Sequence, residues 1–115
     1  MLSQPDLLAF CTQNGIRLEA YSPLRKGNSK LFNNETLKQL AAKYGKTVAQ
    51  VALRWQIQRG VVVIPKSSRR SRMVENKDIF DFTLSQEEIA TIDGLNQNER
   101  EVKFEESVHL PEYPF

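Results

Sequence analysis

The clearest hydrophobic pattern in the chain is an unbroken run of four β-branched residues at positions 61–64, which ends at Pro65. An apolar run without alternation is typical of a strand covered on both faces, and such strands belong mostly to parallel sheets flanked by helices. Residues 16–21 alternate between apolar and polar side chains and end at Ser22-Pro23, which indicates a second strand. The pattern therefore predicts two strands, each running into a turn.

Helical periodicity surrounds these strands. It predicts helices over residues 5–14, 35–44, 47–59 and 70–76, and a last helix that begins at Ser85 and ends between residues 94 and 98. Pro5 suits the first position of a helix, and Gly15 and Gly45 follow the first two predicted helices. The sequences Thr47-Val48-Ala49-Gln50 and Ser85-Gln86-Glu87-Glu88 have the spacing of a capping box, which marks the start of a helix.

Trp55 lies on the apolar stripe of the helix over residues 47–59, so we expect it in the core rather than at a ligand. We also expect the lone Cys11 to be a small buried core residue. Residues 25–34 have no periodic pattern and predict a mobile loop at the same end of the sheet as Lys66. Residues 79–82 predict an extended apolar anchor.

Residues 1–98 thus predict strand and helix units of one segment, and residues 99–115 predict a tail. The tail is rich in charge and contains two prolines, so a free tail is the simplest interpretation. The alternative is that three of its aromatic residues dock on a neighbouring surface. These are Phe104, Tyr113 and Phe115.

Composition limits the classes of protein that fit. The chain is 40% hydrophobic and 26% charged with a net charge of +2, which is ordinary for a soluble globular protein. No apolar run approaches the length of a membrane span, and the first six residues lack the regions of a signal peptide, so we expect a cytoplasmic protein with no membrane partner. A single cysteine and a single histidine, far apart in sequence, predict neither a disulfide framework nor a metal site.

Cations and serines follow the strand at residues 61–64. The cations are Lys66, Arg69, Arg70 and Arg72, and they lie beside Ser67 and Ser68. A solvated helix face is one interpretation of such a cluster. The strand-to-helix junction, with Ser67 or Ser68 as the helix N-cap, favours another, because backbone N–H groups and cations then converge on a place suited to an anion.

The alternation of strands and helices predicts an α/β fold, but two parallel strands cannot close a barrel. Both outer edges of such a pair present unpaired N–H and C=O groups to solvent. The strand count therefore predicts that the chain is part of a larger fold and incomplete as given. It also leads us to expect self-association through the exposed strand edges.

Several motifs together resemble the C-terminal part of an aldo-keto reductase. They are YSPL at 21–24, YGKT at 44–47 with AQVALRW at 49–55, QRGVVVIPKS at 58–67, and Arg72 with Glu75 and Asn76. The closing PEYPF at 111–115 also resembles the tail of that family, so the resemblance covers essentially the whole chain. The turn from Ile64 to Ser67 with the downstream arginine and Glu-Asn pair is its most specific part.

The resemblance implies the C-terminal portion of a TIM (β/α)8 barrel that binds NADPH and reduces carbonyl compounds to alcohols. Position by position, Tyr21 resembles the residue that stacks on the nicotinamide, and Ser22 and Leu24 resemble those lining the pyrophosphate path. The grip on the adenosine 2′-phosphate corresponds to Lys66, Ser67 and Arg72, and the adenine contacts correspond to Glu75 and Asn76. A guanidinium and an ammonium group at a helix start suit a dianionic phosphate.

The same resemblance implies that catalytic residues are missing, because the family's catalytic Asp, Tyr, Lys and His lie on earlier strands. We therefore assign no catalytic residue to this chain. Three hypotheses remain open: an oxidoreductase part that completes an NADPH site, a non-catalytic nucleotide-binding or regulatory module, and a basic module that binds nucleic acid. The low net charge and the lack of interleaved base-stacking aromatics disfavour the last, so we expect no nucleic-acid partner.

Overall fold

A computed structural model describes residues 3–99 and 109 of the chain. The elements in order are α1 (Pro5–Gln13), β1 (Glu19–Ala20), a 3-10 turn (Arg25–Gly27), α2 (Ser29–Phe32), α3 (Glu35–Tyr44), α4 (Val48–Gln58), β2 (Val62–Val63), α5 (Arg70–Lys77) and α6 (Gln86–Asp93). The predicted α/β alternation is confirmed. Within the described residues, no helix is both long and apolar enough to cross a bilayer. The predicted docking of the tail aromatics, Phe104, Tyr113 and Phe115, lies outside them.

The two strands form a parallel pair, as the sequence predicts. Glu19 is aligned with Val62 and Ala20 with Val63. Both strands are shorter than the predicted ranges, 16–21 and 61–64, because each has a single neighbour within the described residues and ladder hydrogen bonds form only where the two overlap. The pairing leaves one edge of each strand without a partner in this part of the chain.

The prediction that the strand at 61–64 is covered on both faces is wrong. Val61 is buried and Val63 packs against the core, whereas Val62 is 44% and Ile64 58% exposed. The reason is that the core lies on one face of the two-stranded sheet, where α4 contacts β2. Successive side chains of a strand point to opposite faces, so every second residue of the apolar run is left in solvent.

Helix α4 supplies more of the core than any other described element, with six buried residues. Trp55 is 1% exposed, and its indole Nε1 donates a 3.0 Å hydrogen bond to Oδ1 of Asp93. The guanidinium of Arg59 lies 4.5 Å from the centre of the indole ring. The predicted core positions of Trp55 and Cys11 are both confirmed, since Cys11 is also buried.

Both predicted capping boxes are present, at the starts of α4 and α6. In the second, Glu88 also joins α6 to α3, since its Oε1 accepts from Lys43 Nζ at 2.7 Å and its Oε2 from the Tyr44 hydroxyl at 2.6 Å. The Ser85 N–H donates to the same Oε2 at 2.7 Å. Burial acts to raise the pKa of Glu88, but these three donors outweigh it and hold the pKa at about 2.

The prediction of a mobile loop over residues 25–34 is wrong. A 3-10 turn is followed by the short helix α2, and the side chain of Asn28 caps this helix by accepting the Lys30 N–H at 2.8 Å. Leu31 on α2 is buried in the main core. One cap and one buried leucine thus order a segment that has too few residues to show a period.

The first prediction concerns the buried indole. Trp55→Ala should lower the free energy of unfolding by about 3–5 kcal/mol, because it leaves a large cavity and removes the hydrogen bond to Asp93. Denaturant unfolding followed by circular dichroism measures the loss. The matched control is Phe80→Ala, since this aromatic side chain is exposed. A loss as small as that of the control would show that Trp55 does not stabilise the core.

The second prediction concerns Glu88, whose pKa in the folded chain lies below its ordinary value of 4.5. The ionised carboxylate therefore contributes stability above pH ~4.5, and this contribution is lost as the pH falls toward about 2. We expect Glu88→Gln to destabilise the chain at pH 6 and the difference from the parent chain to shrink between pH 4.5 and 2. Glu87→Gln is the control, because no ion pair within the described part of the chain involves Glu87. A difference that stays constant down to pH 2.5 would contradict the prediction.

Candidate functional site

The parallel pairing brings the carboxyl ends of β1 and β2 to the same edge of the sheet. Tyr21 and Ser22 directly follow β1, and Pro65 and Lys66 come shortly after β2. The Tyr21 side chain is 72% exposed at this edge. In α/β folds with parallel strands, ligands bind at the carboxyl ends of the strands. The predicted site residues Tyr21, Ser22 and Lys66 therefore lie at the edge where a ligand is expected.

The turn after β1 has an unusual backbone. Ser22 has a φ of 53°, in the left-handed region that non-glycine residues rarely adopt, and Arg25 and Lys26 also have positive φ angles. The turn is closed by the Arg25 N–H, which donates to the Ser22 carbonyl at 2.8 Å. Left-handed residues of this kind cluster at ligand sites, where the surrounding structure holds them in place. Leu24 is half-buried, and its side chain packs against the core.

The turn after β2 differs from the prediction in its cap. Neither Ser67 nor Ser68 is the N-cap of α5; this position is Arg69, which makes no side-chain cap hydrogen bond. The Ser67 hydroxyl instead accepts the Arg69 N–H at 3.1 Å, two residues further along the chain. Its side chain therefore closes the turn before the helix and makes no hydrogen bond to the first helical turn within the described residues.

As a result, no side-chain cap occupies the backbone N–H groups in the first turn of α5. The backbone N–H groups of Arg70, Ser71 and Arg72 donate to no acceptor within the described part of the chain. Free N–H groups and the positive end of the helix dipole favour an anion at this position. The predicted free donors are thus present, although the prediction of Ser67 or Ser68 as the cap is wrong.

The cations beside this helix start have no acidic partner among residues 3–99. They are Lys66, Arg69, Arg70 and Arg72, and all four are exposed. By contrast, Lys38, Lys43 and Lys46 each contact a carboxylate. The positive charge at the start of α5 is therefore available to an anion from outside the chain.

Glu75 and Asn76, one turn further along α5, are half-buried. Asn76 contributes to an apolar groove of about 630 Å³ between β2, α5 and the segment that follows α5. Glu75 contacts a residue that sequence reasoning did not assign to the site: the Thr47 hydroxyl donates to its Oε1 at 2.7 Å. The capping box identified Thr47 as a helix start, but nothing local in the sequence indicates a contact with a residue 28 positions away.

Comparisons with known proteins show the family to which the chain belongs. The sequence model of the Aldo/keto reductase family matches residues 1–97. The chain is 54% identical over 99 residues to a glyoxal reductase of Bacillus subtilis, and 46% identical over 122 residues to aldo-keto reductase family 1 member D1 of Mus musculus. These matches cover 86% and 98% of the chain but 35% and 38% of the relatives, so the chain spans a little over a third of their length.

Solved structures show the same fold. An aldo-keto reductase of Bombyx mori, crystallised in complex with NADP, superposes with a TM-score of 0.92 at 37% sequence identity. The match covers 100% of this chain and 40% of the Bombyx chain. A second Bombyx aldo-keto reductase, complexed with NADPH, has a TM-score of 0.88 at 36% identity. The two parallel strands and their helices are therefore part of a TIM (β/α)8 barrel, and the chain belongs to the aldo/keto reductase family.

Proposed function

We propose that the chain forms the NADP(H)-binding part of an aldo-keto reductase that reduces aldehydes and ketones to alcohols. The observation that carries the proposal is the start of α5, where backbone N–H groups without an acceptor in the described residues lie among exposed cations. Such a site suits the 2′-phosphate of NADP(H), because a dianion takes charge-assisted hydrogen bonds from Lys66, Ser67 and Arg72. Similar proteins crystallised with NADP or NADPH support the same ligand.

The other predicted site residues would contact successive parts of the dinucleotide, from the nicotinamide to the adenine. The exposed ring of Tyr21 is suited to stack on the nicotinamide. Ser22 lies in the turn along which the pyrophosphate would pass, and Leu24 would contribute its backbone there because its side chain packs against the core. At the other end, Glu75 and Asn76 would hydrogen-bond the adenine.

NADPH, when bound, supplies the hydride for carbonyl reduction, and this chain's residues would hold and orient it. We assign no proton donor to the chain: reduction of a carbonyl also needs a general acid near the carbonyl oxygen, and no residue of the matched motifs takes that role. In the reductase, the acid would come from a part of the barrel other than this chain. The second candidate function, a nucleotide-binding or regulatory module without catalysis, is favoured by the same observation.

One experiment distinguishes these functions. The purified chain is titrated with NADPH, and absorbance of the reduced nicotinamide is then followed with a reactive aldehyde, with and without a separately made N-terminal portion of an aldo-keto reductase. Binding without turnover, followed by turnover on addition of the N-terminal portion, supports the reductase. Binding with no turnover in either case favours the non-catalytic module. Failure to bind NADPH or its adenosine 2′,5′-bisphosphate end contradicts both.

The third prediction concerns cofactor choice. Arg72→Ala should weaken binding of NADPH by about 10- to 100-fold, because it removes a charged hydrogen bond worth about 1.5–3 kcal/mol. Binding of NADH should barely change, because NADH lacks the 2′-phosphate. Isothermal titration with both cofactors measures the two losses.

The matched control is Arg70→Ala on the same helix. Residues two apart do not share a helix face, so this change removes an equal charge from a different side of α5. Equal losses for NADPH and NADH, or equal effects of the two substitutions, would show that Arg72 does not recognise the 2′-phosphate. Self-association through the open strand edges and a cytoplasmic location stay predictions.

A further inference from the structure

Helix α5 carries three of the proposed nucleotide contacts, yet it has no buried residue. Its two largest apolar side chains, Met73 and Val74, are half or more exposed. Most helices in proteins are held by packing of an apolar face, which α5 lacks within the described structure. Its orientation therefore depends on other contacts, and the polar ones concentrate at the start of α4.

Gln50 makes the largest share of these contacts. It is 5% exposed and is the one buried polar residue among the described residues. Its side-chain Nε2 donates to the carbonyl of Glu75 at 3.1 Å and to the carbonyl of Asp78 at 2.7 Å, while its Oε1 accepts the Thr47 N–H at 2.9 Å. The Gln50 side chain thus links the end of α5 to the start of α4.

The orientation of the Gln50 amide follows from its neighbours. Turning it over would place Nε2 against the Thr47 N–H, which is a donor, and Oε1 against two carbonyl oxygens. Every contact would become repulsive, so a single orientation satisfies the network. Lys46, which directly precedes Thr47, strengthens this network: its Nζ donates to Asp78 at 2.8 Å and to Asp81 at 2.7 Å.

Thr47 holds the side chain of Glu75, one of the proposed nucleotide contacts. Its hydroxyl accepts the Gln50 N–H at 3.2 Å and donates to Oε1 of Glu75 at 2.7 Å. Within the described residues Oε2 of Glu75 has no hydrogen-bond partner, so one carboxylate oxygen is held while the other can accept from a ligand. Thr47 is exposed, so its substitution should leave the core intact.

We propose that Thr47 and Gln50 are positioning residues for the nucleotide site, holding α5 and the Glu75 carboxylate in the orientation that binds the adenosine end of the cofactor. The proposal rests on the proposed function for the identity of the ligand. The positioning itself concerns contacts between α4 and α5 and is measurable without any ligand.

The test uses substitutions of Thr47 that separate its N-cap hydrogen bond to Gln50 from its hydrogen bond to Glu75 on α5. Thr47→Asp keeps an N-cap acceptor for Gln50 but cannot donate to Glu75, and its charge repels that carboxylate. Thr47→Ser keeps both functions of the hydroxyl. Ser85→Asp is the matched control, because it adds the same charge at the capping box of α6, which has no hydrogen bond to α5 among residues 3–99.

Two measurements are made on each purified chain: amide hydrogen exchange resolved to residues 73–78, and the dissociation constant for NADPH. For Thr47→Asp we expect exchange in α5 to accelerate about 10-fold and NADPH to bind about 10-fold more weakly, the size expected for one hydrogen bond to a charged group. Exchange in α3 and α6 should not change. Thr47→Ser and Ser85→Asp should match the parent chain in both measurements.

Unchanged exchange of α5 in Thr47→Asp overturns the proposal, as does an equal loss in Thr47→Ser. Faster exchange with unchanged NADPH affinity also overturns it, since α5 would then bind the cofactor without being held. If the parent chain does not bind NADPH, the proposed function fails by itself. Exchange then decides the inference: local acceleration in Thr47→Asp alone supports the positioning role, and any other pattern overturns it.

Discussion

The parallel pairing of β1 with β2 determines where the candidate residues of this chain lie. Because the two strands run in the same direction and in register, the turns that follow them emerge at one edge, although more than 40 residues separate Ala20 from Val63 along the chain. An antiparallel pair would place the two turns at opposite ends. The proximity of the two turns therefore depends on a short ladder of backbone hydrogen bonds, supported on one face by α4.

Helix α4 has a second role besides its place in the core. Its apolar face packs around Trp55, and its first turn presents Thr47 and Gln50 to α5. A capping box usually satisfies the N–H groups of its own helix. Here the side chains of Thr47 and Gln50 each also donate a hydrogen bond to Glu75 on α5. The same two residues thus start one helix and orient another, which explains how α5 is held without a buried side chain of its own.

The sequence predicts local features and the parallel pairing of the strands well, but it does not predict which neighbours surround each element. Capping boxes, glycines at helix ends and the apolar stripe through Trp55 depend on residues within one or two helical turns. They can therefore be predicted from the sequence alone. The prediction of Ser67 or Ser68 as the cap of α5 is wrong because the Ser67 hydroxyl accepts the Arg69 N–H before the helix begins, a contact that only the three-dimensional turn determines. The burial of the strand at 61–64 was also overestimated, because an apolar run indicates which faces suit a core but not whether neighbours are present to cover them.

Ion pairs are unevenly distributed over the described part of the chain. Lysines on α3 and at the start of α4 contact carboxylates, and several of these pairs connect elements that are distant in sequence, such as Lys43 with Glu88 and Lys46 with Asp78. The cations after β2 make no such pair in the described part of the chain, although the chain as a whole carries 16 basic and 14 acidic residues. A net charge of +2 cannot attract a polyanion strongly, but a local cluster without counter-charges, beside free backbone donors, can hold one small anion. The charge that matters for this site is therefore local, and it is visible only once the structure separates paired cations from unpaired ones.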